Sequence, residues 1–416
     1  MTHATRFFIR VYFLGFLHFT ILQAQTLDST SSGKSKREID LFDILDTIAT
    51  KTPIPKWTKK EPKIEKEIGH GIKNAFSFLP SLNYTPPTSW SFGVLTSIAL
   101  YTGDHKKTNL SNLQIYTSYT LNHQFITIAR STIWTSGNKY NFVGDWRYLK
   151  YPSYTYGLGP NTPITNKELI HYSYLRIYQI AYKNIFPGFY LGLGYNLDDH
   201  FKIEEEPGSL QNTDFERYSV GTGTNTISSG LTFNLLYDTR KNPVNPVGGG
   251  HYASIGYRYN AQWLGSDQNW ESFLIDARKY VSFPRASRNI LAFWTYDWFT
   301  FDGTVPYLDL PSSAWDTYDN QGRGYIQGRF RSSNLMSAEI EYRFGITRNQ
   351  LLGGVAFVNV QTVSDLHTSH FDTFYPATGM GIRIKVNKQT NTNISIDYGL
   401  GLNGARGFFF NLGEVF

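Results

Sequence analysis

Between Gln321 and Gly345 the chain reads QGRGYIQGRFRSSNLMSAEIEYRFG, a glycine-flanked arginine followed by a strand-like run that carries Glu339, Glu341 and Arg343. A water-soluble core would reject such charges, and a solvent loop would not need the alternation that follows. Side chains of a strand point to opposite faces with period two. Ser337, Glu339, Glu341 and Arg343 therefore share one face, and Ala338, Ile340, Tyr342 and Phe344 share the other. The second place with residue types for chemistry is LHTSHFD, where His367 and His370 lie near Asp365 and Asp372 and could hold a metal or activate a nucleophile. It falls between two strand-like segments, which marks it as a hairpin loop with solvated histidines. The chain has no cysteine, hence no thiol for catalysis or metal binding. Neither a Gly-x-Ser-x-Gly elbow nor a glycine-rich phosphate loop leading into a helix is present. The expectation is a protein that is not an enzyme and takes no metal or cofactor.

The elements that must position these charges follow from composition. Of 416 residues 16% are aromatic and 17% charged, against about 25% charged in ordinary soluble domains. After the first 25 residues no apolar run approaches the ~20 that a membrane-spanning helix needs. An aromatic-rich β-protein remains. At the start, Arg6 and Arg10 precede an apolar stretch from Val11 to Leu22 and small or polar residues around Ala24. That layout predicts a secretory signal peptide over 1–25 and an exported protein. The net charge is +6, with Lys51, Lys56, Lys59, Lys60, Lys63, Lys66 and Lys73 in one span. Glu61, Glu65 and Glu67 are interleaved and Trp57 is the single aromatic there, so the span reads as a solvated basic linker. A nucleic-acid partner is not expected.

Residues 26–75 are polar, with one apolar patch, IDLFDILDTIA (39–49), spaced for a short amphipathic helix. From 76 to 416 the texture is uniform, in segments of alternating side chains separated by Gly, Asn, Asp and Pro. In FYLGLGYNL, Phe189, Leu191, Leu193, Tyr195 and Leu197 oppose Tyr190, Gly192, Gly194 and Asn196. In ISIDYGLGL, Ile394, Ile396, Tyr398, Leu400 and Leu402 oppose Ser395, Asp397, Gly399 and Gly401. Long apolar side chains on one face and small polar ones on the other suit a barrel with lipid outside and a polar lumen. Tyr and Trp crowd the segment ends, where interfacial girdles would sit. The predicted fold class is all-β, a transmembrane antiparallel β-barrel of about 16 strands at roughly 20 residues each. The chain closes on GFFFNLGEVF, where Phe408, Phe410, Leu412 and the terminal Phe416 form an alternating aromatic ending broken by Glu414. That ending resembles the C-terminal signal that outer-membrane barrels present to their assembly machinery.

Two stretches resemble a family, the BamA/TamA-type assembly factors of the bacterial surface antigen superfamily. In LLYDTRKNPVNPVGGGHYASIGYRY, Tyr237, Asp238, Arg240, Asn242, Pro243, Pro246 and Gly248 match its tight periplasmic turn. Proline there stops the strand and Asn and Gly supply turn conformations. Arg323, Gly324 and Tyr325, with QGRFR after them, match the tip of its long inward-folded extracellular loop, here 304–332. The resemblance implies that Arg323 reaches Glu341, with Glu339 as a further partner, inside the barrel. The chain departs from the family in three places on this pattern, one of them SSAWDTYDN (312–320) where a Gly-Gly pair is usual. Asn359 stands where a second acid is usual, able to accept a hydrogen bond but without charge, and Gly322 replaces an aliphatic residue. The 26–75 segment shows no POTRA pattern, which places the resemblance in a POTRA-lacking branch of Bacteroidetes-type bacteria.

What the resemblance implies is an outer-membrane barrel that assists insertion, assembly or transport of outer-membrane proteins or lipids. Its partners would be the outer-membrane bilayer, unfolded protein or lipid clients, and other assembly components. The basic linker and its apolar patch are candidates to dock a partner or the inner-leaflet surface. The alternative is a plugged passive channel or structural barrel without transport activity, which should conduct once the loop is removed.

Overall fold

The computed structural model of the chain describes residues 38–41, 43–44, 74–85, 89–104, 107–208, 210–240, 242, 245–247, 249–388 and 391–416. The expected signal peptide and most of the 26–75 segment lie outside these residues. Among the described residues sixteen strands follow one another: β1 (Asn74–Thr85), β2 (Ser89–Leu100), β3 (Ser111–Thr120), β4 (Phe125–Trp134), β5 (Tyr140–Thr155), β6 (Glu168–Phe186), β7 (Phe189–Glu205) and β8 (Asn225–Asp238) in the first half. The second half holds β9 (Gly250–Asn260), β10 (Trp270–Ser282), β11 (Ile290–Gly303), β12 (Asn334–Gly345), β13 (Leu352–Val363), β14 (Tyr375–Asn387), β15 (Thr392–Gly401) and β16 (Arg406–Leu412). All belong to one sheet in chain order, each antiparallel to the next. No described helix is long and apolar enough to cross a membrane, which says nothing of strands.

The connections differ in length with the end of the sheet they occupy. Phe186 and Phe189 are joined by two residues, whereas β11 and β12 are separated by the thirty residues 304–333. This long segment lies within the curl of the sheet. Its Thr317 carbonyl accepts hydrogen bonds from Arg130 on β4 and Arg147 on β5 at 2.6 and 3.2 Å. On the opposite side it touches β12, β13 and β15, so the sheet wraps around it. Neighbouring loops clamp its ends. Gly159 N–H donates to the Arg331 carbonyl at 2.8 Å, and the Tyr218 hydroxyl donates to the Val305 carbonyl at 3.0 Å.

Alternation sorts the side chains as the period-two pattern predicts. Leu193, Met380 and Phe410 are 68%, 71% and 68% exposed on the outer face, while Glu341, Asp397 and Ser395 are wholly buried on the inner one. Ile340 is exposed between buried Glu339 and Glu341. The interior is thus polar and the exterior apolar, the reverse of a soluble domain. The largest interior aromatic cluster gathers Tyr280, Trp294 and Tyr296 with Tyr325 and Phe330 of the long loop and with Val415 and Phe416.

Candidate functional site

The tip of the 304–333 loop is turned by Gly322 and Gly324, both at positive φ (74° and 111°), where a side chain is strained. Space decides at Gly324 as well: an added Cβ would sit 2.7 Å from the Ala377 Cβ and 3.2 Å from the Leu400 backbone. The wall has been cut back to match. A Cβ on Gly399 would lie 2.6 Å from the Gly324 nitrogen, and one on Gly401 would meet the Tyr325 ring at 2.6 Å. Asp397, Gly399 and Gly401 alternate on the inner face of β15, so this strand offers the tip a charged group and a groove. Tyr325 completes the seat, its hydroxyl donating to the Pro376 carbonyl and accepting from Leu402 N–H, each at 2.9 Å.

Arg323 is fully buried and forms ion pairs with Glu339 and Glu341 of β12 and, at 2.5 Å, with Asp397 of β15. Its guanidinium carbon lies 3.7 Å from the Phe357 ring centroid, so the planar cation rests on an aromatic face while its edge meets carboxylates. In the register of β12 with β13, Glu339 stands opposite Asn359 and Glu341 opposite Phe357, which gives the floor of the site. Two further arginines close the network. Arg343 pairs with Glu341 at 2.6 Å, and Arg383 pairs with Asp397 and, at 2.7 Å, with Glu414. Three guanidiniums thereby meet four side-chain carboxylates from two strands and the C-terminal tail. The arrangement holds a loop to a wall by charge-assisted bonds; it presents no nucleophile and no base positioned against one.

Some sequence expectations need correction here. Asn359 does not serve as an acceptor for the arginine side chain. Its amide donates, to the Arg323 carbonyl at 2.8 Å and to Glu339 at 3.3 Å, because the neighbouring carboxylate already fills the acceptor role. The second acid missing from β13 is supplied by Asp397, two strands further on. Phe416 does not continue the outward row of Phe408 and Phe410, which are both strongly exposed. β16 ends at Leu412, and Gly413 at φ 108° turns the tail inward. Phe416 stacks on Trp294 at 5.0 Å, its carbonyl accepts from Arg343 at 2.8 Å, and Asn320 of the loop donates to the Val415 carbonyl at 3.2 Å. Glu414 faces the interior rather than interrupting the apolar face.

The 235–250 turn is described in part. Arg240 caps it through a two-point pair with Asp238 at 3.0 and 2.8 Å and lies over the Tyr252 ring. Pro246 is buried, and Asn245 reaches the Asn391 carbonyl at 3.0 Å; Pro243 and Gly248 lie outside the described residues. Asp365 caps its own hairpin by accepting from His367 N–H and Thr368 N–H, with His367 and His370 both exposed. Among the described residues no group of three or more His, Cys, Asp or Glu is placed to hold a metal ion.

A second interior network escaped the sequence reading. Asp145 and Arg147 of β5, Arg176 of β6, Asp198 of β7 and Arg258 of β9 form a chain of ion pairs, with Arg258–Asp198 at 2.6 Å. Above it Asp309 of the loop accepts from Ser228 of β8 at 2.6 Å and faces His200 at 3.6 Å. The signal was available as charges alternating with apolar residues in DWRYLK and YLRIYQ. The loop is therefore held at both sides of the interior.

Comparison with solved structures gives this architecture a place. BamA from Haemophilus ducreyi lacking POTRA domains 1–3 superposes with a TM-score of 0.52 at 13% identity, over 82% of this chain and 69% of that one. The chain folds like BamA and CdiB. CdiB from Escherichia coli gives a TM-score of 0.54 at 10% identity and CdiB from Acinetobacter baumannii 0.52 at 11%, each over 82% of this chain. The chain spans about three-fifths of the length of both, 62% and 60%. No protein-family model matches the sequence, and no curated protein does. At these identities the likeness is one of fold.

Proposed function

We propose that the sheet closes on itself into a sixteen-stranded barrel in a bacterial outer membrane, with 304–333 as an extracellular loop folded into its lumen. Closure pairs every backbone group and leaves no edge in lipid, and the exposed aliphatic and aromatic face supplies the lipid contact. On this reading the barrel assists insertion or translocation of protein or lipid clients, and Arg323 is the lock that holds the loop against β12 and β15. The observation that carries it is the burial of Arg323, at the tip of a loop within a BamA-like fold, among carboxylates from two separate strands. The lipid bilayer, unfolded outer-membrane proteins or lipids, and other assembly components are the partners this function needs. The 26–75 segment then lies in the periplasm, behind a signal peptide.

A second reading is a plugged barrel that transports nothing. It is favoured by the loop's simultaneous anchorage on β4 and β5, on β12 and β15, and on the C-terminal tail. Depletion of the protein in its native cells separates the two. Quantitation of folded barrels and surface lipids in isolated outer membranes gives a selective drop for an assembly or transport role. An unchanged membrane would leave the plugged barrel.

A further inference from the structure

Beneath the Arg323 network, at the end of the sheet opposite the loop, lies a cavity of about 600 Å³. Its walls carry Arg288, Arg343, Arg348, Arg383, Lys385 and Lys388. The wall's own carboxylate, Glu414, is already engaged by Arg383 at 2.7 Å and by Asn393 at 2.7 Å. A rim of this composition attracts anions, and the chain itself supplies some. Glu38 pairs with Arg288 in the β10–β11 turn. Ile39 N–H donates to the Asn349 carbonyl in the β12–β13 turn at 3.0 Å. In the β14–β15 turn, the Lys388 backbone N–H donates to Asp40 at 2.9 Å and its ammonium to both oxygens of Asp43 at 2.7 Å. Three successive turns thus hold one short acidic segment. The segment is shaped for the purpose: Asp40 and Asp43 each accept the other's backbone N–H, at 2.9 and 3.0 Å, which fixes both carboxylates toward the rim.

We propose that this mouth is a receptor for a short acidic amphipathic peptide, and that the segment carrying Glu38, Asp40 and Asp43 is its resident occupant, displaced when an acidic segment of another chain binds. The recognition is ionic through Lys388 and Arg288 and main-chain through Asn349, so it reads carboxylates spaced as in Glu38, Asp40 and Asp43. Tethering in the same chain gives the resident segment an effective concentration in the millimolar range. A peptide in trans therefore binds weakly until that segment is repelled. Only the client's identity rests on the functional reading above, because binding is measured on purified protein without any transport.

The test uses the full chain in detergent and a fluorescent synthetic peptide of residues 38–49, followed by anisotropy. Asp40→Lys with Asp43→Lys should tighten peptide binding at least tenfold over the unaltered chain. Adding Lys388→Glu to that variant should abolish the gain, and a peptide with both aspartates replaced by asparagine should bind none of the variants. Equal affinity of the unaltered and Asp40→Lys/Asp43→Lys chains overturns the proposal, as does equal binding of the asparagine peptide. Retention of the folded, heat-modifiable gel band in each variant shows that the barrel itself is intact.

Discussion

Replacing Arg323 by methionine removes one cation from a site where three guanidiniums face four side-chain carboxylates, and the burden does not fall evenly. Glu341 keeps Arg343 at 2.6 Å, and Asp397 keeps Arg383. Among the described contacts Glu339 has Arg323 as its one cation and would retain the Asn359 amide at 3.3 Å. Breaking a buried pair from one side costs on the order of 3–5 kcal/mol. At about 1.4 kcal/mol per factor of ten, unfolding should speed up by roughly a hundredfold to several-thousandfold where the loop contacts form after the folding barrier. The same geometry predicts where relief comes from. Glu339→Gln added to Arg323→Met should recover most of the loss, whereas Glu341→Gln should recover little, since it takes the nearest carboxylate from Arg343 and leaves Glu339 without a cation. Arg323→Lys should restore little, because a point-like ammonium cannot span three carboxylates on two strands. The assay is the rate at which the folded gel band disappears in urea at fixed temperature. Unchanged kinetics in Arg323→Met, or equal rescue by the two glutamine substitutions, would refute the unequal sharing argued here.

Other consequences are as specific. Gly399→Ala places a methyl 2.6 Å from the Gly324 nitrogen and should lift the loop tip, read as faster proteolysis within 304–333 with the strands still intact. Phe416→Ala empties a buried aromatic site against Trp294 and should destabilise by about 3–5 kcal/mol in urea unfolding; an outward-facing Phe416 would give almost no change. Met380→Arg, on the exposed face, should destabilise by roughly 2–4 kcal/mol in lipid vesicles, measured by unfolding with tryptophan fluorescence. Asp309 sits on the loop, and burial followed by the nearby Asp198 charge pushes its carboxyl up to about 7. A raised acid leaves folding unaffected below the unfolded value near 4 and opposes it increasingly as pH rises toward 7. Asp309→Asn, which keeps an acceptor for Ser228, should therefore slow unfolding at pH 8 and leave it unchanged at pH 4.

How far the sequence carried depended on the range of the interaction. The inward set Ser337, Glu339, Glu341 and Arg343 was legible because alternation along one strand is a local property. The small-residue face of ISIDYGLGL was legible too, but its meaning as a seat for the loop tip was not. That meaning requires knowing that β15 lies directly against residue 324, which no local pattern encodes. Asp397 was hidden for the same reason, since an acid expected on β13 was supplied two strands away. Alternation carried through Gly413 points Phe416 outward, but Gly413 at φ 108° reverses the chain, and Glu414 is the residue that marks the break. Ionic contacts of 38–44 were beyond reach, since a short acidic segment carries no signal of which turns it will meet.

On the proposed function, the Arg323 lock serves a barrel working on clients at the outer membrane. The most direct test is to deplete the protein in native cells, resupply either the unaltered chain or Arg323→Met at equal abundance, and quantify outer-membrane proteins and surface lipids. The expected outcome is a selective loss on depletion that the unaltered chain repairs and Arg323→Met does not. A membrane unchanged by depletion, or repaired equally by both chains, would contradict it.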